Sequence, residues 1–329
     1  MQTFTPISDL SYRGYDGPLA SPRMRWWVIA RAALQENLKK RWLWVMMVMS
    51  GSYYLLMMAV VFFVEQASQA ASGPMGDAPA RGIQEFLSRI VWKDQFIHGF
   101  STGQIWYLFM LLMIGAGAIA NDNRTNALLV YLSKPCDKRD YLFGKWVGIY
   151  LTMLIMMSIP AAFFFLYGSM TYSGYGFLSA DPWMGPKILA FILISGTFHA
   201  SLVLGISSLF KQGRIAGAAF AALYFLTNFF TQLMVITWVQ TSRASMGGEF
   251  PEHVRRLVGT LYYASIDGLH IGLAKAVLGT DGSAYLGIQS PIPQVPAPAL
   301  WMPLAAGAVL SMLALTVAWT RIRAVEVVN

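Results

Sequence analysis

Six stretches of this chain, roughly residues 42–64, 101–120, 142–168, 188–210, 215–239 and 300–320, are predominantly apolar, with no charged side chain in the middle of any. Each is close to the ~20 helical residues that cross a hydrocarbon core. Lipid offers no partner to backbone N–H and C=O groups, so a segment crossing it must close its own hydrogen bonds as a helix or join a closed barrel. Near-continuous apolar runs of this length predict helices. The expected fold class is an all-α polytopic membrane protein with six transmembrane helices. Only 12% of the 329 residues are charged, about half the share in soluble domains.

Orientation follows from Lys and Arg. With the N-terminus inside, sixteen of the 24 basic residues fall on the cytoplasmic side, which fits the positive-inside rule. Both termini are then cytoplasmic, and the expected location is the cytoplasmic (inner) membrane. The net charge of +8 is accounted for by basic residues beside the spans, facing anionic lipid, so membrane lipid is an expected partner and nucleic acid is not. The N-terminus has no short apolar core followed by a small-residue cleavage site, so no cleavable signal peptide is expected.

Two units are expected: a cytoplasmic N-terminal segment, residues 1–42, and a six-span domain, residues 43–329. Within the first, Trp27, Ala30, Leu34 and Leu38 fall on one helical face, with Arg25, Arg31, Gln35, Lys39 and Lys40 elsewhere around the wheel. A basic amphipathic helix with tryptophans, directly before a span, predicts a helix lying in the membrane interface. Two outer segments are expected. Residues 65–100 hold a probable helix with Phe86, Ile90 and Phe96 apolar, and residues 241–299 hold two short helices, one from Pro251 and one from Ile266 to Leu278. The latter pair either dips into the outer leaflet or forms a small cap, and the pattern does not separate the two.

Several apparent motifs fail on context. Gly99-Phe100-Ser101-Thr102-Gly103 has the spacing of a nucleophile elbow, but that turn needs a strand before it. Here it sits at the mouth of a span and reads as a helix start. Gly115-Ala116-Gly117-Ala118-Ile119-Ala120 has the spacing of a dinucleotide fingerprint but lies inside a span, where small residues serve helix packing. Gly144-Lys145 is followed by Trp146, so there is no Walker A sequence. His98, His199, His253 and His270 lack metal-ligand spacing, and the single cysteine, Cys136, excludes an intrachain disulfide. No catalytic residue, metal site or cofactor is expected in this chain. His199, mid-span with no carboxylate partner in the spans, reads as a polar packing contact. The lack of ionisable residues at mid-depth argues that any transport is driven from outside the bilayer.

Two stretches carry more. In the fifth span Asn228 and Gln232 lie one turn apart with Thr227 and Thr231 beside them, a set expected to face a pathway or a subunit interface. Gly213, Gly217 and Ala221 on the same span allow close helix approach. Between the second and third spans, residues 121–141 form a polar and basic loop. It is expected to hold a short helix that carries Asp122 near its start, an apolar edge of Leu128, Leu129 and Leu132, and a stop at Pro135.

The order of residues here resembles the intracellular loop of type-2 ATP-binding-cassette (ABC) exporter permeases, including the bacterial group tied to drug export, sodium export and copper-enzyme maturation. In that family a small-residue helix end is followed by an acidic residue, Gly-Thr-Leu, Ser-x-Pro, an Arg and a Gly-Lys. Here these are Gly115 to Ala120, Asp122, Leu128, Ser133-Lys134-Pro135, Arg139 and Gly144-Lys145, with Asn126-Ala127 in place of the usual Gly-Thr. The resemblance implies a permease subunit that moves a substrate, in the export direction, under the drive of a separate cytoplasmic ATPase subunit. ATP and magnesium would then sit on that partner, and a second permease copy or paralogue would complete a dimer. It also implies that Asp122, Arg124, Asn126, Leu128, Ser133, Pro135, Arg139, Gly144 and Lys145 couple the chain to the ATPase. A reading from another class is a non-transporting membrane anchor or regulatory module that uses the same loop for docking.

Overall fold

The computed structural model describes residues 24–71, 85–127, 136–246 and 251–322. In chain order its helices are α1 (Arg25–Leu38), α2 (Arg41–Ser50), α3 (Ser52–Ala71), α4 (Trp92–Ile114) and the short α5 (Ala120–Arg124). There follow α6 (Lys138–Thr171), α7 (Met184–Ser208), α8 (Gly213–Met246), α9 (Glu252–Tyr262), α10 (Ile266–Leu278) and α11 (Trp301–Arg321). Among the described residues the strands are a two-residue antiparallel pair, Ala284–Tyr285 and Ile288–Gln289, turned through left-handed Leu286 and Gly287.

Helices α4, α6, α7, α8 and α11 are each long and apolar enough to cross a membrane, and α2 with α3 makes a sixth, bent by 47°. The chain is thus an all-α polytopic membrane protein. The bend falls at Gly51, where an added Cβ would lie 2.8 Å from Cβ of Pro160 on α6. A side chain at that point would push the first and third spans apart.

The second span departs from the expected limits. It begins at Trp92 rather than near residue 101 and ends at Ile114 rather than at 120. Its first turns are polar, which hides them from a hydropathy reading, but the Asp94 and Gln95 side chains are satisfied inside the protein. The Asp94 carboxylate accepts from the Ala284 N–H at 2.7 Å and from the Thr280 hydroxyl. The Gln95 side chain accepts from the Tyr53 hydroxyl at 2.6 Å and donates to the Ala284 carbonyl at 3.1 Å. Phe96 therefore belongs to the span and not to a separate outer helix with Phe86 and Ile90. Gly99 and Gly103 lie inside α4 rather than at its start. A Cβ at Gly99 would sit 2.1 Å from the Tyr54 ring, which stacks on Phe164.

The segment between the fifth and sixth spans enters the bundle. From Glu252, α9 runs back along α8, with Gly259 against Trp238. At the tip, Ser265 caps α10 by accepting the Gly268 N–H at 2.8 Å and receives the Thr231 hydroxyl. Helix α10 then climbs between α4 and α7: Gln104 donates to the Asp267 carbonyl at 3.2 Å, and His270 meets Ser195 at 2.7 Å. Thr280 closes the path at Asp94, near the start of α4. Gln104 lies twelve residues beyond Trp92, about 18 Å along the helix, so the tip of the hairpin reaches half the height of the spans. Of the two arrangements open for this segment, a dipping pair of helices is the one found.

Helix α1 is separate from the first span, broken at Lys39–Lys40, where Lys40 is extended. It packs lengthwise on the first turns of α6, through a face that shares Ala30 with the apolar stripe. Trp26, Ile29, Ala30, Ala33 and Asn37 meet α6, whereas Trp27 is 36% exposed. The register is set by small residues. A Cβ at Gly144 would come within 2.7 Å of Ile29, and one at Gly148 within 2.8 Å of Ala33. One helical turn on, the Asn37 amide donates to the Thr152 hydroxyl at 3.2 Å.

Candidate functional site

The polar stretch after the second span is tied to four other segments. Gly115 ends α4 in close contact with Val203 of α7, and residues 115–119 form turns rather than a helix end. The Ser207 hydroxyl of α7 donates to the Ala116 carbonyl at 2.8 Å and accepts the N–H groups of Ile119 and Ala120 at 3.0 and 3.1 Å. One serine thus holds the start of α5. The side chain of Asn121 accepts the Gly213 N–H at 3.2 Å, and Asn123 donates to the Phe210 carbonyl at 3.4 Å, which binds α5 to the turn between the fourth and fifth spans. Gly213 is needed there, because a Cβ would fall 3.0 Å from Gly117 Cα.

Asp122 points the other way. Its carboxylate accepts from the Lys145 ammonium at 2.7 Å and from the Tyr141 hydroxyl at 2.7 Å. Tyr141 is buried and the Asp122–Lys145 pair is more than four-fifths shielded, so this is a bridge between the loop and the first turns of α6. The sequence placed Asp122 opposite a positive helix end; the structure gives it two specific partners instead.

The other predicted loop residues divide. Arg139 is exposed on the first turn of α6, whose start is fixed by a capping box between Asp137 and Asp140. Arg124 is exposed and lines a cavity of about 720 Å³ with Gln212 and Arg214. Asn126 takes a left-handed conformation, φ 53°, beyond the end of α5 at Arg124. The helix that carries Asp122 therefore stops there instead of running on to Pro135. Leu128, Leu129, Leu132, Ser133 and Pro135 lie outside the described residues. Gly144 is buried beneath α1. Lys138 lies over the Trp319 ring at 4.4 Å, linking the loop's far end to the sixth span. The Cys136 thiol is pushed above its ordinary pKa by partial burial and by the neighbouring Asp140 and Asp137 carboxylates.

The second predicted set meets at a cavity of about 380 Å³ between α4 and α8. Asn228, Thr231 and Gln232 line it, while Thr227 turns its hydroxyl to the Tyr224 carbonyl at 3.1 Å. Gln104 and Asp267 complete its polar wall, and Asn228 donates to the Asp267 carboxylate. This corrects one premise drawn from the sequence. No span carries a mid-depth carboxylate of its own, yet the α9–α10 hairpin delivers one. His199, expected to be a packing contact, also gains a partner set: it meets Ser195, which in turn bonds His270. The signal that could have found this is the length of α10. A helix of thirteen residues, apolar but for Asp267, His270 and Lys275, is too short to span and suits a re-entrant segment.

A bent first span, five further membrane-crossing helices, a re-entrant hairpin and a polar loop bonded into the bundle define a polytopic membrane domain of transporter type. The family is then plain. The profile of the ABC-2 family of transporter proteins matches residues 27–321, and the chain belongs to that family. It is a membrane-spanning permease subunit of an ABC transporter. Comparison with curated proteins returns no match.

Proposed function

We propose that this permease exports its substrate across the cytoplasmic membrane as a dimer, driven by a separate ATPase that docks on the loop of residues 121–141 and on α1. ATP and magnesium are held by that partner, and both termini of this chain lie on its side of the membrane. The observation that carries the reading is the bonding of α5. Ser207 ties it to the fourth span, Asn121 to the start of the fifth, and Asp122 to the third, while the second span runs directly into it. A push on this short helix reaches four spans through hydrogen bonds and backbone, with no flexible link between. Helix α1 adds a second handle, because its seat on Gly144 and Gly148 makes it move with the third span. Exposed Arg139 and Arg124 are the groups that meet the partner, and Asp122 transmits the movement. The cavity at Asn228, Thr231 and Gln232 is the candidate path between spans two and five.

The test is to co-purify the chain with its ABC ATPase partner and to measure ATP turnover with Asp122→Asn and Arg139→Ala combined. The variant complex should assemble in lipid and lose most of its stimulated turnover and transport. Full stimulation and transport in that variant would refute the coupling role.

A further inference from the structure

Among the described residues the Asp267 carboxylate is the one ionic group on the wall of the α4–α8 cavity, and its Oδ1 is unused. The residue is 5% exposed. Its carboxylate is met by the Asn228 amide, at Oδ2, and by the Tyr224 hydroxyl, yet its Oδ1 is buried with no hydrogen-bond partner. Its place in the first turn of α10 does not explain that oxygen, because Ser265 already accepts the helix's Gly268 N–H. Nor does a nearby cation. Among the described residues no Lys or Arg lines the cavity, and the ammonium of Lys275, two turns along α10, donates to the Val295 carbonyl at 2.7 Å. His270 is turned to Ser195 and His199 on the side of α7.

A buried carboxylate oxygen without a donor is unfavourable unless a cation meets it. The cavity has room for one. At about 380 Å³ it falls at the small end of ligand pockets. Beside Gln104, Asn228 and Asp267 the lining includes Ile105, Phe225 and Ile271, which suit an apolar body. We infer that this cavity binds a small organic cation, an ammonium or guanidinium group on an aromatic or aliphatic frame, with Asp267 as its counter-ion. This deepens the permease reading and rests on it for the claim that the ligand is carried. Binding itself does not depend on the ATPase.

The experiment uses the full chain in nanodiscs of uncharged phosphatidylcholine, with ethidium as the probe and its fluorescence as the readout, and radiolabelled sodium in a parallel arm. Saturable ethidium binding is expected, weakened about thirtyfold or more by Asp267→Asn, as for loss of one partner of a buried charge pair. Asp267→Asn keeps the shape and the acceptor toward Asn228. Ile105→Trp leaves Asp267 intact and fills the cavity, and should abolish binding as well. Absence of ethidium binding to the native chain, or equal affinity in both variants, overturns the proposal. Asp267-dependent binding of sodium without ethidium overturns the organic-cation assignment. Because no ATPase is present, failure of ATPase coupling leaves each of these outcomes readable.

Discussion

The bridge from Asp122 to Lys145 and Tyr141 gives the sharpest energetic test. At the 2.7 Å separation of the ion pair, Coulomb attraction is about 6 kcal/mol for an effective dielectric constant near 20, and about 1.5 kcal/mol in bulk water. The pair sits between these limits, with side chains 16% and 18% exposed. Desolvation and side-chain ordering offset much of the attraction, so a net coupling of about 2 kcal/mol is expected, above the ~0–1 kcal/mol of open surface pairs. The perturbation is a double-mutant cycle with Asp122→Asn and Lys145→Met. Each single change should destabilise the protein, and the double should cost less than the sum by about 2 kcal/mol. Reversible unfolding of the purified chain in mixed micelles supplies the four free energies. Asp122→Asn keeps an acceptor for the Tyr141 hydroxyl, so the cycle isolates charge from hydrogen bonding. A coupling below about 0.5 kcal/mol, the usual error of additivity, would refute the idea that this pair fastens the loop to the third span.

Two further outcomes follow from geometry. Gly148→Leu should detach α1 from α6, because even a Cβ at that position lies 2.8 Å from Ala33. The cost is about 1–3 kcal/mol, and loss of cross-linking between cysteines placed at Ala33 and Val147 would register it. On the opposite face, Asp181 joins Lys187 at 2.6 Å and Lys93 at 3.4 Å. Burial alone would raise the pKa of its carboxyl. The hydrogen bonds from Lys187 and the Trp183 N–H, with the charges of Lys187 and Lys93, outweigh that and hold it below the usual carboxylate range. A depressed carboxylate stabilises the fold above its unfolded pKa and loses that contribution as pH falls through its folded value. The turn between the third and fourth spans should therefore stay protected from hydrogen exchange to unusually acid pH. Asp181→Asn should remove that dependence, and an unchanged acid profile in the variant would count against the network.

The spans were legible because lipid demands apolar helices, and the loop because its residue order is specific. What the sequence hid was polar chemistry satisfied at a distance. The first turns of the second span read as part of an outer segment because Lys93, Asp94, Gln95 and His98 are polar, while the partners of Asp94 and Gln95 lie far away in sequence, at Thr280 and Ala284, 186 to 190 positions later, and at Tyr53, 42 positions earlier. Asp267 read as an outer residue because the pattern left a dip and a cap both open, and the short length of its helix was the one local hint that it turns back into the bundle. On α1 the stripe of Trp27, Ala30, Leu34 and Leu38 followed hydrophobicity, while the contact with α6 is made where glycines leave room, Ile29 at Gly144 and Ala30 with Ala33 at Gly148. Asp122 was identified as a functional candidate on residue order alone, and its partners Lys145 and Tyr141, 23 and 19 positions on, came only with the fold.

The central claim is that the ATPase acts on this chain through the loop and α1. A spin label at Arg139→Cys, in a Cys136→Ser background, reports on it directly by continuous-wave spectroscopy of the complex in lipid. Arg139 is exposed on the free chain. The account predicts that the label is immobilised when the ATPase binds and changes mobility again on ATP addition, with a matching label at Trp183 on the opposite face unaffected by docking. A label at Arg139 that stays as mobile in the complex as in the free chain would contradict it.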